Sequence, residues 1–453
     1  MRAIRLHDTR SGKLLELEPR KAGEVSIYAC GPTVYGRIHV GNARPYVVFS
    51  LLKRFLQHEG YEVTLVVNIT DVNDKIYDAA RAERRPSAEL AARMAELYRQ
   101  DTDALELGRP DHEPLASQTM TPIIDHIAAL IDSGHAYVAA GDVYFRVRSD
   151  PAYGSLSHRR LDDMDQGEGV EGAERKEDPL DFALWKAHKD GEDTSWESPW
   201  GPGRPGWHIE CSAMAEQLLG VGFDIHGGGS DLVFPHHENE AAQTRAARGS
   251  ELARLWVHNG MIQLTVEKMA KSLGNIAPLH EVLERHGRDA VVMYLISGHY
   301  RQPLAFSQAK LEDAARSVRR IRDTLRRVRA GPSPPELARH RDAFFDALAN
   351  DFNTPAARDA LFKWLHEANS RGGEVGDADL REMLGVVGFE RLAPWGGVRD
   401  PDPEAVDLLA RREHARERRD FSEADRLRAE LLARGYEIRD GPQGSELIPA
   451  QGR

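Results

Sequence analysis

Residues 25–68 spell a strand, a helix and a second strand, and no other part of the chain restricts the fold as much. Residues 25–30 (VSIYAC) read as a short buried strand, broken by Gly31 and Pro32. Residues 43–58 read as a helix with Val48, Leu51, Leu52, Phe55 and Leu56 on one face. Residues 61–68 (YEVTLVVN) are a second strand, rich in β-branched side chains. Such a βαβ unit has a right-handed crossover and implies a parallel sheet. A further strand at 222–226 (GFDIH) is followed by a Gly loop and a helix. Between these parts, residues 111–186 mix short apolar runs with an acidic, Gly-rich stretch and read as an insertion. From residue 305 the pattern is predominantly helical, with breaks at 331–335 (GPSPP) and 393–403 (APWGGVRDPDP). A charged helix and strand-like segments end the chain. The expected fold class is α/β: a Rossmann-like parallel nucleotide-binding sheet with an insertion, then an α-helical domain and a small C-terminal domain.

With 453 residues, 41% hydrophobic and 29% charged, the chain is expected to be soluble and globular with two to four domains. Residues 1–13 mix Arg, His and Asp and do not read as a secretory signal. No apolar run approaches the roughly 18 residues of a membrane span. The cytoplasm is the expected location, without membrane contact. A net charge of −12 gives no support to a polyanionic partner, but binding depends on local patches. In residues 316–329 (RSVRRIRDTLRRVR), Arg316, Arg319, Arg320, Arg326 and Arg327 recur at helical spacing beside Val318, Leu325 and Val328. Residues 411–428 are a second Arg-rich stretch. Taken in isolation, each run is more often a solvated helix face than a binding surface.

Two short motifs carry chemistry. His39-Val40-Gly41-Asn42 precedes the helix of the first unit. A helix start offers unpaired N–H groups and partial positive charge to a phosphate, Gly41 permits close backbone approach, and His39 can donate a hydrogen bond. Lys268-Met269-Ala270-Lys271-Ser272 is followed by Leu273 and Gly274. Two lysines three apart in a Gly-bounded loop can meet the charge that builds on a departing pyrophosphate.

In this order the pair resembles the two signatures of the class I aminoacyl-tRNA synthetases, H-I-G-H and K-M-S-K-S. Flanking segments resemble the cysteinyl-tRNA synthetases in particular: YACGPTVY at 28–35, NITD at 68–71 with Asp74-Lys75-Ile76, PGWHIECS at 205–212, and FPHHENE at 234–240. The similarity continues through His299-Tyr300-Arg301 into the terminal region, so it covers essentially the whole chain. Asn42 stands where the first signature has its second histidine; it can donate through its amide but carries no charge. Ala270 replaces the middle serine of the second signature. The resemblance implies a cysteine--tRNA ligase using L-cysteine, ATP with Mg2+, and tRNA(Cys), and acting as a monomer. It divides the chain into a catalytic domain at 1–116 and 198–250, a connective insertion at 117–197, a stem-contact region at 251–313, a helical tRNA-binding domain at 314–394 and an anticodon-binding domain at 395–453.

The sequence holds only two cysteines, Cys30 and Cys211. Cys30 ends the first strand and Cys211 lies near the start of a helical segment. Pro235 suits the first turn of a helix, which places His236 and Glu240 four apart on one face. C-terminal strand ends converge in a parallel sheet, so Cys30, Cys211, His236 and Glu240 are candidate ligands of one zinc ion per chain. The resemblance implies the same four positions. His237, three residues from Glu240, is the competing imidazole. A metal that selects thiolate separates cysteine from serine, which a shape-based pocket separates by only roughly 1–3 kcal/mol. Glu240 is the expected weakest ligand, yielding room to substrate. By position in the family, Thr70 and Trp207 are expected to line the amino-acid pocket. His226 and Asp231 are expected to contact the ribose or the amino acid. ATP contacts fall to His39, Gly41, Asn42, Asp231, Lys268, Lys271 and Ser272. Two rival readings are a cysteine ligase with an amino-sugar acceptor, which would not need the residues beyond about 310, and a non-catalytic RNA-binding homologue, which the ligand set and both lysines oppose.

Overall fold

The computed structural model describes residues 2–164, 173–264, 277–371, 375–392, 403–434, 436–441 and 444–449. An antiparallel pair, β1 (Arg5–Asp8) and β2 (Lys13–Glu16), comes first. The expected strand, helix and strand follow as β3 (Glu24–Ala29), α1 (Val40–His58) and β4 (Glu62–Val67). β3 and β4 pair in parallel, from Glu24 opposite Glu62 to Ala29 opposite Val67. Val25, Ile27, Val63 and Leu65 are buried on one side and Tyr28 and Val66 on the other, as a strand covered on both faces requires. α1 begins three residues before the apolar stripe predicts, because His39 caps it and Val40 to Asn42 form its first turn.

α2 (Asp74–Glu83), α3 (Ser87–Asp103) and α4 (Met120–Asp132) lead into the insertion. There β5 (Ala136–Ala139), β6 (Asp142–Phe145), β7 (Phe182–Ala187) and β8 (Gly203–Pro205) form an antiparallel sheet in sequence order. Its inner face packs on Ile123, Ile127 and Leu130 of α4. The sheet's last strand lies past residue 197. α5 (Trp207–Leu219), β9 (Phe223–Gly229), α6 (Glu238–Arg248) and β10 (Ala253–Asn259) return to the parallel sheet, whose order is β10-β9-β3-β4. The winding direction reverses between β3 and β9. At such a switch point the C-terminal strand ends splay and leave a crevice.

β11 (Ile262–Leu264), α7 (Leu279–His286), α8 (Arg288–Leu295) and β12 (Leu304–Phe306) come next, with β11 and β12 pairing in parallel. α9 (Gln308–Leu325), α10 (Ala338–Ala349), α11 (Thr354–Ser370) and α12 (Ala378–Val386) build the helical part around Phe344, Phe345, Leu361 and Trp364. A small terminal unit has α13 (Pro403–Glu417), α14 (Phe421–Ala433) and a hairpin of β13 (Tyr436–Gly441) and β14 (Gly444–Pro449). Among the described residues, no helix is long and apolar enough to cross a membrane.

The cationic run at 316–329 is less of a free patch than its composition predicts. α9 ends at Leu325, so the last arginines lie beyond the helix. Arg316 pairs with Asp313, Arg322 with Asp289 at 2.6 Å and Arg326 with Asp323 at 3.2 Å. In the second stretch Arg426 pairs with Glu423 at 2.7 Å. Both helices carry their own counter-charges at i,i+3 spacing, which cancels much of the field at a distance.

Candidate active site and metal centre

Cys30 follows β3 directly, at the reversal point, and its N–H donates to the Gly227 carbonyl of β9 at 3.0 Å. Cys211 sits in the second turn of α5. The chain from β9 to α6 passes through a cis bond at Phe234–Pro235, and α6 proper begins only at Glu238. Pro235 therefore does not occupy the first turn of a regular helix, as the sequence predicts; Phe234 is extended and the turn before Glu238 is wider. His236 and Glu240 nevertheless face each other, with His236 Nε2 3.1 Å from Glu240 Oε1. Ligand atoms of Cys30, Cys211, His236 and Glu240 all lie within 4.8 Å of one another, and all four side chains are buried. Cys30 Sγ is 3.6 Å from Glu240 Oε1.

In a second grouping, Cys30, His226, His237 and Glu240, the ligand atoms also all lie within 4.8 Å of one another. His237 Nε2 lies 3.3 Å from Cys30 Sγ and 3.8 Å from Glu240 Oε1. His226 Nε2 is 2.8 Å from Glu240 Oε2, and its ring stacks on Trp256 at 4.5 Å. His226 is fully buried and lies within this cluster.

Two imidazoles escaped the sequence reading. His208 Nδ1 shares a 2.9 Å hydrogen bond with His236 Nδ1, which leaves His236 Nε2 toward Glu240. His258 Nε2 shares one of 2.7 Å with His237 Nδ1, and His258 Nδ1 meets Thr9 Oγ1 at 2.7 Å. Backing a ligand's second nitrogen fixes its ring and tautomer. His208 stands inside PGWHIECS, so a signal was present; His258 is a lone histidine on β10 and gave none.

The donor chemistry fits zinc, which takes thiolate, imidazole and carboxylate in a tetrahedron. Burial, then the neighbouring Cys211 and Glu240, push the Cys30 thiol well up. The hydrogen bond with Cys30 works to lower the Cys211 thiol, but burial and Glu240 outweigh it and the net shift is upward. Burial holds His236 and His237 far below the ordinary imidazole range, so both are neutral and able to ligate. Two thiols beside a carboxylate resist ionising together, and a dication reverses that cost.

The nucleotide motif opens onto a cleft of about 260 Å3 whose walls include Thr33, Tyr35, His39, Gly41, Asn42, Trp207, Asp231 and Met261. His39 caps α1 reciprocally: its Nδ1 accepts from Gly41 N–H at 3.0 Å, and Asn42 Oδ1 accepts from His39 N–H at 3.2 Å. Val40 N–H donates to Ala277 O and Asn42 N–H to His39 O. The helix start therefore does not offer the unpaired N–H groups that the sequence predicts. What faces an anion is the helix dipole, the His39 Nε2–H and the Asn42 amide NH2. Burial lowers the His39 pKa, and accepting at Nδ1 puts the proton on Nε2. A Cβ at residue 41 would lie 2.8 Å from the His39 ring, so Gly41 makes room for this cap.

Trp207 walls the cleft on the metal side and stacks on His236, ring centroids 4.2 Å apart. Thr70 is 1% exposed and its Oγ1 accepts from Asn68 Nδ2 at 3.3 Å. Its backbone pairs with Pro32 and Val34, so it props the wall from beneath. Asp231 is exposed at the cleft edge. Lys268, Lys271 and Ser272 lie outside the described residues. The chain on either side of them adjoins the His39 turn: Ala277 accepts from Val40 N–H at 3.1 Å, and Ile262 Cβ lies 3.8 Å from a Cβ placed on Gly41. A larger cavity of about 750 Å3 runs between the insertion sheet and α2 and shares Thr33, Lys75 and Trp207 with the cleft.

Residues 16–316 match the family described as tRNA synthetases class I (C) catalytic domain, and residues 399–446 match the Cysteinyl-tRNA ligase anticodon binding domain. In solved structures the fold is similar to Mycobacterium tuberculosis methionyl-tRNA synthetase in complex with methionyl-adenylate. The TM-score is 0.59 at 16% identity, covering 82% of this chain and 90% of that one. It is also similar to an Agrobacterium radiobacter LeuRS ternary complex, with a TM-score of 0.59 at 12% identity over 83% and 85% of the two chains. The parallel sheet with its split catalytic region and His39 helix start is that of a class I aminoacyl-tRNA synthetase. The Cysteine--tRNA ligase of Halorhodospira halophila is 45% identical, covering 98% of this chain and 99% of the relative. That of Alkalilimnicola ehrlichii is 46% identical with the same coverage. The chain belongs to the cysteine--tRNA ligase family.

Proposed function

We infer that the chain activates L-cysteine with ATP and transfers the cysteinyl group to the 3′ end of tRNA(Cys), with Cys30, Cys211, His236 and Glu240 holding a zinc ion that selects the thiol. One observation carries the metal reading: the only two cysteines in the sequence, far apart along the chain, meet beside His236 and Glu240 at the crevice of the sheet. We prefer this grouping to the one with His226 and His237 because it uses both thiols, the donors zinc favours. When bound there, zinc supplies a Lewis acid that favours a thiolate over an alcohol, because a thiol gives up its proton near pH ~8.5 and an alcohol keeps its own.

The chain's own groups then position two displacements. Trp207 and the Thr33 wall seat the amino acid beside the metal ligands. His39 donates from Nε2 to the phosphates at the start of α1, Asn42 adds its amide, and Asp231 takes the ribose or the substrate ammonium. The cysteine carboxylate oxygen attacks the α-phosphorus and the bond to pyrophosphate breaks. Lys268 and Lys271 meet the charge that accumulates on the leaving group, and Mg2+ accompanies the triphosphate. In the second step the terminal ribose hydroxyl of tRNA attacks the adenylate carbonyl and AMP leaves. Positioning and charge stabilisation suffice for both. The enzyme is read as a monomer working in the cytoplasm. The amino-sugar acceptor is not favoured, since the relatives share the helical part and tail as well.

The test is ATP–pyrophosphate exchange. It should depend on cysteine, proceed without tRNA, and be negligible with serine. Equal exchange with serine would remove the metal sieve, and no exchange with either would remove the reading.

A further inference from the structure

Arg44 lies in the second turn of α1 and has no task in the reaction as described. Its side chain is fully buried and among the largest buried side chains of the molecule. Among the described residues no ion pair includes it. A desolvated guanidinium without a carboxylate is one of the costlier placements available to a side chain. Burial pulls its pKa down to about 10, which leaves it charged at neutral pH.

Among the described residues, its hydrogen bonds go to backbone carbonyls. Nη1 donates to Gly260 O at 2.5 Å and to Met261 O at 3.3 Å, and Nη2 donates to His299 O at 3.1 Å. Gly260 and Met261 join β10 to β11, and Met261 forms part of the nucleotide cleft opposite His39. β11 ends at Leu264, four residues before Lys268. Gly260 is gripped from its other side too. Its N–H donates to Tyr300 O at 2.8 Å, and a Cβ there would lie 2.5 Å from the Gln302 backbone. The third carbonyl belongs to the segment whose Arg301 Nε binds Asp351 of the helical part at 2.8 Å.

We propose that Arg44 is a positioning residue for ATP: its forked guanidinium ties the helix that starts at His39 to the β10–β11 turn that carries Met261, fixing the separation of these two walls of the nucleotide cleft. Its charge, one turn inside α1 and shielded from water, also adds to the positive potential at the helix start. Lysine cannot replace the fork, because its three donors share one nitrogen whereas Nη1 and Nη2 reach separate segments. The proposal rests on the reading of this cleft as the ATP site.

The experiment uses the full-length enzyme and its Arg44→Gln, Arg44→Lys and Gly260→Ala variants. ATP and cysteine are varied separately in pyrophosphate exchange, and cysteine binding without ATP, zinc content and thermal melting are followed alongside. Displacing a reacting group by about 1 Å costs about 10²-fold, so kcat/KM for ATP should fall about 10–10²-fold in Arg44→Gln, with cysteine binding unchanged. Arg44→Lys should recover part of the loss. Gly260→Ala forces the Gly260 backbone away from Gln302 with Arg44 intact and should show the same ATP-confined loss. If Arg44→Gln does not fold, the other two variants decide. Folded variants with wild-type kcat/KM for ATP overturn the clamp, as does a loss shared equally by ATP and cysteine, which is the mark of general damage. A wild-type enzyme without cysteine-dependent exchange overturns the ATP reading itself.

Discussion

Serine in place of Cys211 separates the two groupings of ligands around Cys30 and Glu240, because Cys211 belongs to only one of them. Four-ligand zinc sites bind with about 10–16 kcal/mol at neutral pH, so one ligand carries about 3–4 kcal/mol, or about 10²–10³-fold in zinc affinity. A serine hydroxyl ligates zinc poorly at neutral pH because it keeps its proton. The cost to folding should be small. The side chain is buried, but the Tyr28 hydroxyl lies within hydrogen-bonding reach of Cys211, so a serine hydroxyl there keeps a polar neighbour. His237→Asn is the matched control from the other grouping. If His237 only supports the site, its loss should cost about 10–10²-fold, as supporting partners of metal ligands do. Zinc affinity would be read by competition with a chromophoric chelator, and retained fold by near-UV circular dichroism. Cys211→Ser should lose zinc first and cysteine selection with it, while ATP binding persists. If His237→Asn loses zinc and Cys211→Ser keeps it, the metal sits among Cys30, His226, His237 and Glu240, and the assignment fails.

Two further outcomes follow from the cleft and the helical part. Lys271→Ala should slow the pre-steady-state formation of adenylate by about 10²–10³-fold with little change in cysteine KM, since its charge matters most as pyrophosphate departs; an unchanged burst rate contradicts this role. Arg319 and Arg327 are exposed, and no ion pair among the described residues includes them. Reversing both to glutamate should weaken tRNA binding and flatten its log–log salt slope by about 1.4–1.8 while leaving pyrophosphate exchange intact; an unchanged slope would take the tRNA contact elsewhere.

Much of this site was legible because it sits in short segments with unusual composition. Two lone cysteines, a His-His-Glu run and a strand–helix–strand pattern bring the ligands to one crevice through topology alone. What was not legible depends on approach between distant segments. No local pattern says that His208 backs His236 or that His258 backs His237. The capping of α1 by His39 was hidden because a histidine cap is uncommon, and it turned free N–H groups into paired ones. Nothing in the local pattern marks Arg44; only the packed structure shows its guanidinium buried against three carbonyls. The extra strand of the insertion, Gly203–Pro205, is three residues long and rich in Gly and Pro, which reads as loop until β7 is seen to pair with it.

The reversal of winding between β3 and β9 also sets a schedule for synthesis. Cys30 and Glu240 are 210 residues apart in the chain, with the whole insertion between them. At about 5–20 residues per second, the Cys30 thiol leaves the ribosome roughly 10–40 s before Glu240 does. For most of that interval, until Cys211 and β9 follow, β3 has β4 beside it but an open edge where β9 will lie, and its terminal thiol lacks the companions that surround it in the finished fold. A metal held by this grouping would therefore enter late in biogenesis, and chains halted within the insertion should emerge with an accessible Cys30 that the finished protein buries.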